Sequence, residues 1–227
     1  MGQRLGVYGG TFDPVHFGHL RPALEIAAAL DLDEVRLIPC HQSPHRDAPV
    51  VGDAHRLAML RCAVAAGGPF AIDDRELRRA GPSYSVDTLA ELRAERPEAR
   101  LLLFLGGDAF AGFPRWHRWA EILELAHLVI SPRPASRAAN RAADLAGSEL
   151  PEDAAALLAG RRAACAAQLD AQPAGRIFVQ PVTQLDISAT QIRALLAAGG
   201  DPAYLMPLAV RDYIQQHGLY RPQPSQR

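Results

Sequence analysis

The sequence predicts an α/β fold built on a parallel sheet in a single domain, and three observations predict it. At 227 residues the chain fits one large α/β domain. A hydrophobic share of 48% against 22% charged residues is enough to bury a core, which excludes disorder as the main state. Short β-rich runs alternate with longer helical patterns, as stacked βαβ units require.

The elements follow in order. Residues 4–8 read as a first strand and residues 18–30 as a helix, with Leu20, Leu24, Ile26, Ala27 and Leu30 near one face. Glu34–Pro39 is a second strand, buried on both sides if parallel. Asp53 reads as the N-cap of a helix over residues 54–66. Phe70–Ile72 is a short strand, residues 85–94 a helix, and residues 100–105 (RLLLFL) the most apolar strand of the chain. Further strands fall at residues 128–131 and Ile177–Val179, and helices at Ala189–Ala197 and residues 209–216. Residues 132–175, rich in alanine and arginine, read as a variable excursion on the sheet with one helix around residues 154–169, being too short for a core of their own. No internal repeat occurs. Residues 221–227 read as a frayed tail, leaving residues 1–220 as the domain.

Composition narrows the chemistry. The 24 basic residues are all arginine and the 25 acidic ones nearly balance them. A net charge of −1 gives no field for a polyanion, so neither nucleic acid nor an anionic membrane is expected as a partner. The absence of lysine excludes a Walker-A loop, a Schiff-base enzyme and any lysine nucleophile. Arginine and histidine must carry any phosphate chemistry. Cys40, Cys62 and Cys165 match neither a zinc pattern nor a disulfide framework, which points to a reducing cytoplasm. The start of the chain lacks a signal-peptide pattern and no run of about 18 apolar residues occurs, so neither export nor a membrane span is expected. A homo-oligomer is left open.

The most informative segment is Gly9-Gly10-Thr11-Phe12-Asp13-Pro14-Val15-His16-Phe17-Gly18-His19-Leu20, directly after the first strand and opening the first helix. Two glycines at a strand end let backbone approach a ligand closely, and the helix N-terminus beyond offers N–H donors and a positive dipole end. His16 and His19, three apart, can present both imidazoles to one anion if the turn is already helical. Taken singly, the Gly-Gly pair is more often an ordinary turn. The His-x-x-His pair supplies only two metal ligands, with no acidic third at suitable spacing.

Taken whole, the segment matches the H-x-G-H signature of the nucleotidylyltransferase superfamily, and the chain resembles the bacterial nicotinate-nucleotide adenylyltransferases from its first strand to Tyr220. The resemblance implies a doubly wound, Rossmann-like parallel sheet with ligands beyond the carboxyl ends of the strands. It implies transfer of AMP from ATP to nicotinic acid mononucleotide, giving deamido-NAD and pyrophosphate without a covalent intermediate. ATP and that mononucleotide are the implied partners, with Mg²⁺ held through the ATP phosphates and no protein-only metal cage.

The resemblance also assigns residues. Ile187-Ser188-Ala189-Thr190-Gln191-Ile192-Arg193 resembles the I-S-x-T-x-I-R motif, in which Ser188 caps a helix and offers its hydroxyl and N–H to phosphate while Arg193 reaches the same anion. Gly106-Gly107-Asp108 resembles the G-x-D on the adenosine side. ATP is thus assigned to Gly9, Gly10, Thr11, Phe12, His16, Gly18, His19, Gly106, Asp108, Ile187, Ser188, Thr190 and Arg193, with His16, His19 and Arg193 as the catalytic set. Ser43-Pro44-His45-Arg46 resembles a P-P-H-[KR] loop over the mononucleotide, with Ser43 departing and with Cys40 and His41 where many relatives have asparagine or glycine. Pro82-Ser83-Tyr84-Ser85 resembles P-S-Y-T, and Pro114-Arg115-Trp116-His117 resembles P-x-W-[YH], whose tryptophan stacks on the pyridine ring. The mononucleotide is therefore assigned to His45, Arg46, Tyr84, Ser85, Trp116 and His117. Trp116 could equally be a core anchor. Donors at the Ser83–Ser85 turn favour a carboxylate over an amide on the pyridine. Pantetheine-phosphate adenylyltransferase, nicotinamide-mononucleotide adenylyltransferase and a non-catalytic nucleotide-binding regulator stand as alternatives.

Overall fold

The computed structural model describes residues 3–44, 47–132 and 150–221. Seven strands form one sheet among them: β1 (Arg4–Gly10), β2 (Glu34–Pro39), β3 (Phe70–Ile72), β4 (Arg100–Gly106), β5 (His127–Ser131), β6 (Arg162–Ala163) and β7 (Ile177–Val179). Their order is β3-β2-β1-β4-β5-β7-β6, and every neighbouring pair is parallel. A parallel sheet must be covered on both faces. Alternation along β4 does this: Leu102 and Phe104 enter one core, Leu101, Leu103 and Leu105 the other.

Helices α1 (Phe17–Ala29) and α2 (Asp53–Val64) cover the first face together with the two C-terminal helices, Ala189–Ala197 and Leu208–Gln216. The second face is covered by a helix over Ser85–Glu95 and by shorter ones that the sequence did not announce. In chain order the rest are α3 (Arg75–Arg78), α4 (Ser85–Glu95), α5 (Gly107–Ala111), α6 (Trp119–Leu125), α7 (Glu152–Arg161), α8 (Ala189–Ala197) and α9 (Leu208–Gln216). The expected doubly wound sheet is observed. Chain order reverses between β1 and β4, so their carboxyl ends, Gly9-Gly10 and Gly106, open a crevice at the switch point.

Two expectations need correction. Asp53 is not an N-cap: Gly52 holds that position and Asp53 is the first helical residue. Its carboxylate instead takes hydrogen bonds from Arg56 Nη2 and His41 Nδ1, both at 2.5 Å. The helix expected over residues 154–169 stops at Arg161, and the chain passes through β6 into a 3₁₀ turn, Ala166–Leu169. Ala154 and Leu158 are buried on one face of the sheet, Ala163 and Leu169 on the other. A continuous helix could not serve both faces, so the chain crosses the sheet edge. The frayed tail predicted at residues 221–227 falls, beyond Arg221, outside the described residues. No described helix is long and apolar enough to cross a membrane.

Candidate active site

The loop leaving β1 is fixed from beneath. Arg56, fully buried on α2, donates to the Thr11 carbonyl at 2.7 Å and to the Cys40 carbonyl at 2.6 Å, tying the ends of β1 and β2 together. Burial works against the Asp53 carboxylate, but hydrogen bonds from Arg56 and His41 more than offset it and hold the group below the usual carboxylate range. Asp13 accepts from the Val50 N–H at 2.7 Å and from the Tyr220 hydroxyl at 2.6 Å. Arg193 Nη1 donates to the Asp13 carbonyl at 2.7 Å, so the α8 motif is fastened directly to the H-x-G-H loop.

His16 caps α1 and His19 lies in its first turn, with their rings stacked at 3.8 Å between centroids. His16 is only 4% exposed. Gly18 allows α8's leading segment to approach: a Cβ there would meet the Ile187 carbonyl oxygen at 2.7 Å and the His16 ring at 2.9 Å. Ser188 caps α8 in a reciprocal box with Gln191, whose side-chain oxygen lies 2.9 Å from the Ser188 N and 3.0 Å from its Oγ. Both donors expected to meet phosphate are therefore engaged by Gln191. Arg193 Nη2 lies 3.3 Å from Thr190 Oγ1.

A cleft of about 750 Å³ opens at the switch point, large enough for a nucleotide-sized ligand. Gly9, Gly10, Thr11 and Gly18 line one end, and Gly106 and Asp108 line the side facing β4. Tyr84, Ser85, Trp116 and His117 line the other end. There the Tyr84 and His117 rings stand 4.2 Å apart, so two segments over 30 residues apart in sequence meet as one wall. Trp116 lines the cleft and is half-buried, its ring 5.5 Å from that of Phe113 between centroids. Phe12, His16, His19, Ile187, Ser188, Thr190 and Arg193 are not among the residues that line the cleft. His45 and Arg46 lie outside the described residues.

Several lining residues had no signal in the sequence: Tyr8, Pro22, Gln184 and, most consequentially, Glu76. Glu76 sits on α3, a single turn anchored by Arg75, which donates to Asp73 at 2.7 Å and Glu95 at 2.9 Å. Its carboxylate accepts from Thr88 Oγ1 at 2.6 Å. Burial pushes the Glu76 carboxyl above the usual carboxylate range, against the pull of hydrogen bonds from Thr88 and Ser83 and the Arg79 charge. Cys40 also lines the cleft, its thiol pushed up by burial. A thiol so held is a poor nucleophile.

The arrangement has relatives among known proteins. The Cytidylyltransferase-like family matches residues 7–195. A protein of Pseudomonas fluorescens named "Probable nicotinate-nucleotide adenylyltransferase" is 49% identical over 97% of this chain and 99% of its own. One of Aeromonas hydrophila with the same name is 46% identical over 96% of this chain and 97% of its own. The chain belongs to this family, among the nicotinate-nucleotide adenylyltransferases. The fold of the family is seen in a solved structure, the Plasmodium falciparum nicotinic acid mononucleotide adenylyltransferase complexed with NaAD. It matches with a TM-score of 0.67 at 18% identity, over 96% of this chain and 97% of that one. The same enzyme complexed with APC gives a TM-score of 0.66 at 17% identity, with the same coverage. These two matches carry the fold.

Proposed function

We propose that this protein transfers the adenylyl group of ATP to nicotinic acid mononucleotide, releasing pyrophosphate and forming deamido-NAD. The observation that carries this is near half identity over almost the whole chain to proteins named for that activity, joined to a cleft whose two ends offer different chemistry. The phosphate end is backbone glycine and a helix N-terminus. The other end is aromatic and polar, as a pyridine ring requires.

The chemistry asks for alignment rather than proton transfer. The mononucleotide's phosphate oxygen is already ionised and attacks the α-phosphorus in line as pyrophosphate leaves, so no general base is needed. We assign charge stabilisation on the triphosphate to His16, His19 and Arg193, and the adenosine side to Asp108. Trp116 is assigned to the pyridine face. Among the described residues no three His, Cys, Asp or Glu side chains stand close enough to hold a cation. Mg²⁺ is assigned as an ion brought in on the ATP phosphates, where it would draw charge from their oxygens. The reading places the enzyme in the cytoplasm, in keeping with Cys40, Cys62 and Cys165, all three free thiols.

The test is pyrophosphate release from ATP with and without nicotinic acid mononucleotide. Release that requires the mononucleotide and matches deamido-NAD formed mole for mole supports the reading. Release without it, or none with it, overturns the reading.

A further inference from the structure

Among the described residues Glu76 is the one carboxyl of the cleft lining that is withdrawn from water: it is 6% exposed, whereas Asp108 is exposed. It stands where Ser83, Tyr84 and Ser85 open α4, the turn assigned above to the substrate's carboxylate. Two carboxylates in one desolvated space cannot both stay ionised without a large cost. The groups facing Glu76 do not cancel its charge. From α4, Thr88 donates its hydroxyl and in turn lies 3.3 Å from Arg79 Nη1. The Arg79 charge is shared with Glu91 at 2.6 Å, and that of Arg75 is spent on Asp73 and Glu95. Asp73 adds a second negative charge on the same side. From the loop after β2 come the neutral Cys40 thiol and, through the Ser83 hydroxyl, the His41 backbone N–H at 2.9 Å.

We propose that Glu76 takes up one proton from solvent when the carboxylate mononucleotide binds, and that its protonation state sets the choice between a carboxylate and an amide on the pyridine ring. Protonated, Glu76 gains an O–H that donates to the substrate carboxylate; ionised, it only accepts, which suits the NH₂ of an amide and repels the acid. The proton balance is simple: one carboxylate of the pair is neutralised on binding and releases its proton on departure. Burial supports this by lowering the cost of that proton uptake. The inference rests on the function proposed above and deepens it.

The readout is the ratio of kcat/KM for nicotinic acid mononucleotide to that for nicotinamide mononucleotide, from about pH 5.5 to about pH 8.5. The ratio cancels ionisation of the phosphate common to both substrates. In the wild type it falls on the order of tenfold as pH rises. Glu76→Gln, which mimics the neutral acid, removes that fall and at the alkaline end exceeds the wild type by about the same factor. Groups common to both proteins drop out of the comparison. A variant ratio that runs parallel to the wild-type one overturns the proposal, as does a flat wild-type ratio. Should Glu76→Gln fail to fold, Thr88→Val serves instead: it removes a bond to the ionised form and moves the fall to higher pH, and an unmoved fall overturns the proposal. If ATP and nicotinic acid mononucleotide give no pyrophosphate at all, the proposed function falls and this inference with it. If they do and Glu76→Gln tracks the wild type, this inference falls alone.

Discussion

Gly18→Ala should damage activity far more than folding. The added methyl would stand 2.7 Å from the Ile187 carbonyl oxygen and 2.9 Å from the His16 ring. The shortest comfortable C–H···O contact is about 3.3 Å, so something must move by about 0.6 Å. Neither neighbour is a loose tip, since one is backbone and the other is a buried ring stacked on His19. Overpacking of this kind costs about 1–3 kcal/mol. Alanine in place of glycine within a helix returns roughly 0.5–1 kcal/mol. The net destabilisation is then about 0–2.5 kcal/mol, a melting temperature lower by no more than about 10 °C. Displacing His16 and the Ile187–Ser188 segment by a large fraction of an ångström should cost on the order of 10²-fold in kcat. Gly9→Ala is the control, because nothing lies within 4 Å of a Cβ there; its stability should stay within about 0.5 kcal/mol of wild type. Thermal unfolding and steady-state pyrophosphate release measure both quantities. Gly18→Ala with wild-type kcat would refute the argument that this close approach aligns the phosphate end.

Other outcomes follow from the same structure. His19→Ala should lower kcat about a hundredfold to a thousandfold, with a smaller effect on ATP binding measured calorimetrically. Trp116→Ala should raise the mononucleotide KM while costing only about 1–2 kcal/mol in thermal unfolding, since the indole is half-buried rather than enclosed. His127 is fully buried: its Nδ1 accepts from the Arg176 N–H and its Nε2 lies 3.1 Å from the Gln172 carbonyl. Burial lowers its pKa from 6.5 to about 4. The unfolded chain therefore takes up the proton first, so stability is complete above about pH 6.5 and is lost as pH falls toward 4, by about 3 kcal/mol in all. Urea melts at pH 7 and pH 4 on wild type and His127→Gln should show that loss in the wild type and a smaller one in the variant.

Much of this molecule was legible in its sequence. Strands such as Glu34–Pro39 and helices such as Ala189–Ala197 lie where the apolar pattern put them, because each buries a continuous face. The switch-point cleft followed from the Gly9–Leu20 segment, whose glycines and histidines serve one another locally. What the sequence could not show is which partner each polar side chain takes, near or distant in the chain. Asp53 looks like a cap, yet Arg56 and His41 claim its carboxylate. Ser188 looks like a phosphate donor, yet Gln191 engages it. Glu76 belongs to no motif, and only the packing of α3 and α4 withdraws it from water. The one-turn helix α3 and two-residue strand β6 are too short to carry a periodic signal and are fixed by ion pairs and sheet pairing alone.

The most direct test of the central claim is kcat/KM for nicotinic acid mononucleotide and for nicotinamide mononucleotide, followed by pyrophosphate release from ATP on one preparation near pH 7. The Ser83 N–H is already given to the Gln42 carbonyl at 2.8 Å, so in the proposed function the donors are those of Tyr84 and Ser85, which would bind a charged acceptor with about 1.5–3 kcal/mol against roughly 0.5–1.5 for a neutral one. The acid should therefore be preferred on the order of tenfold to a hundredfold. A ratio near one, or one favouring the amide, would contradict it.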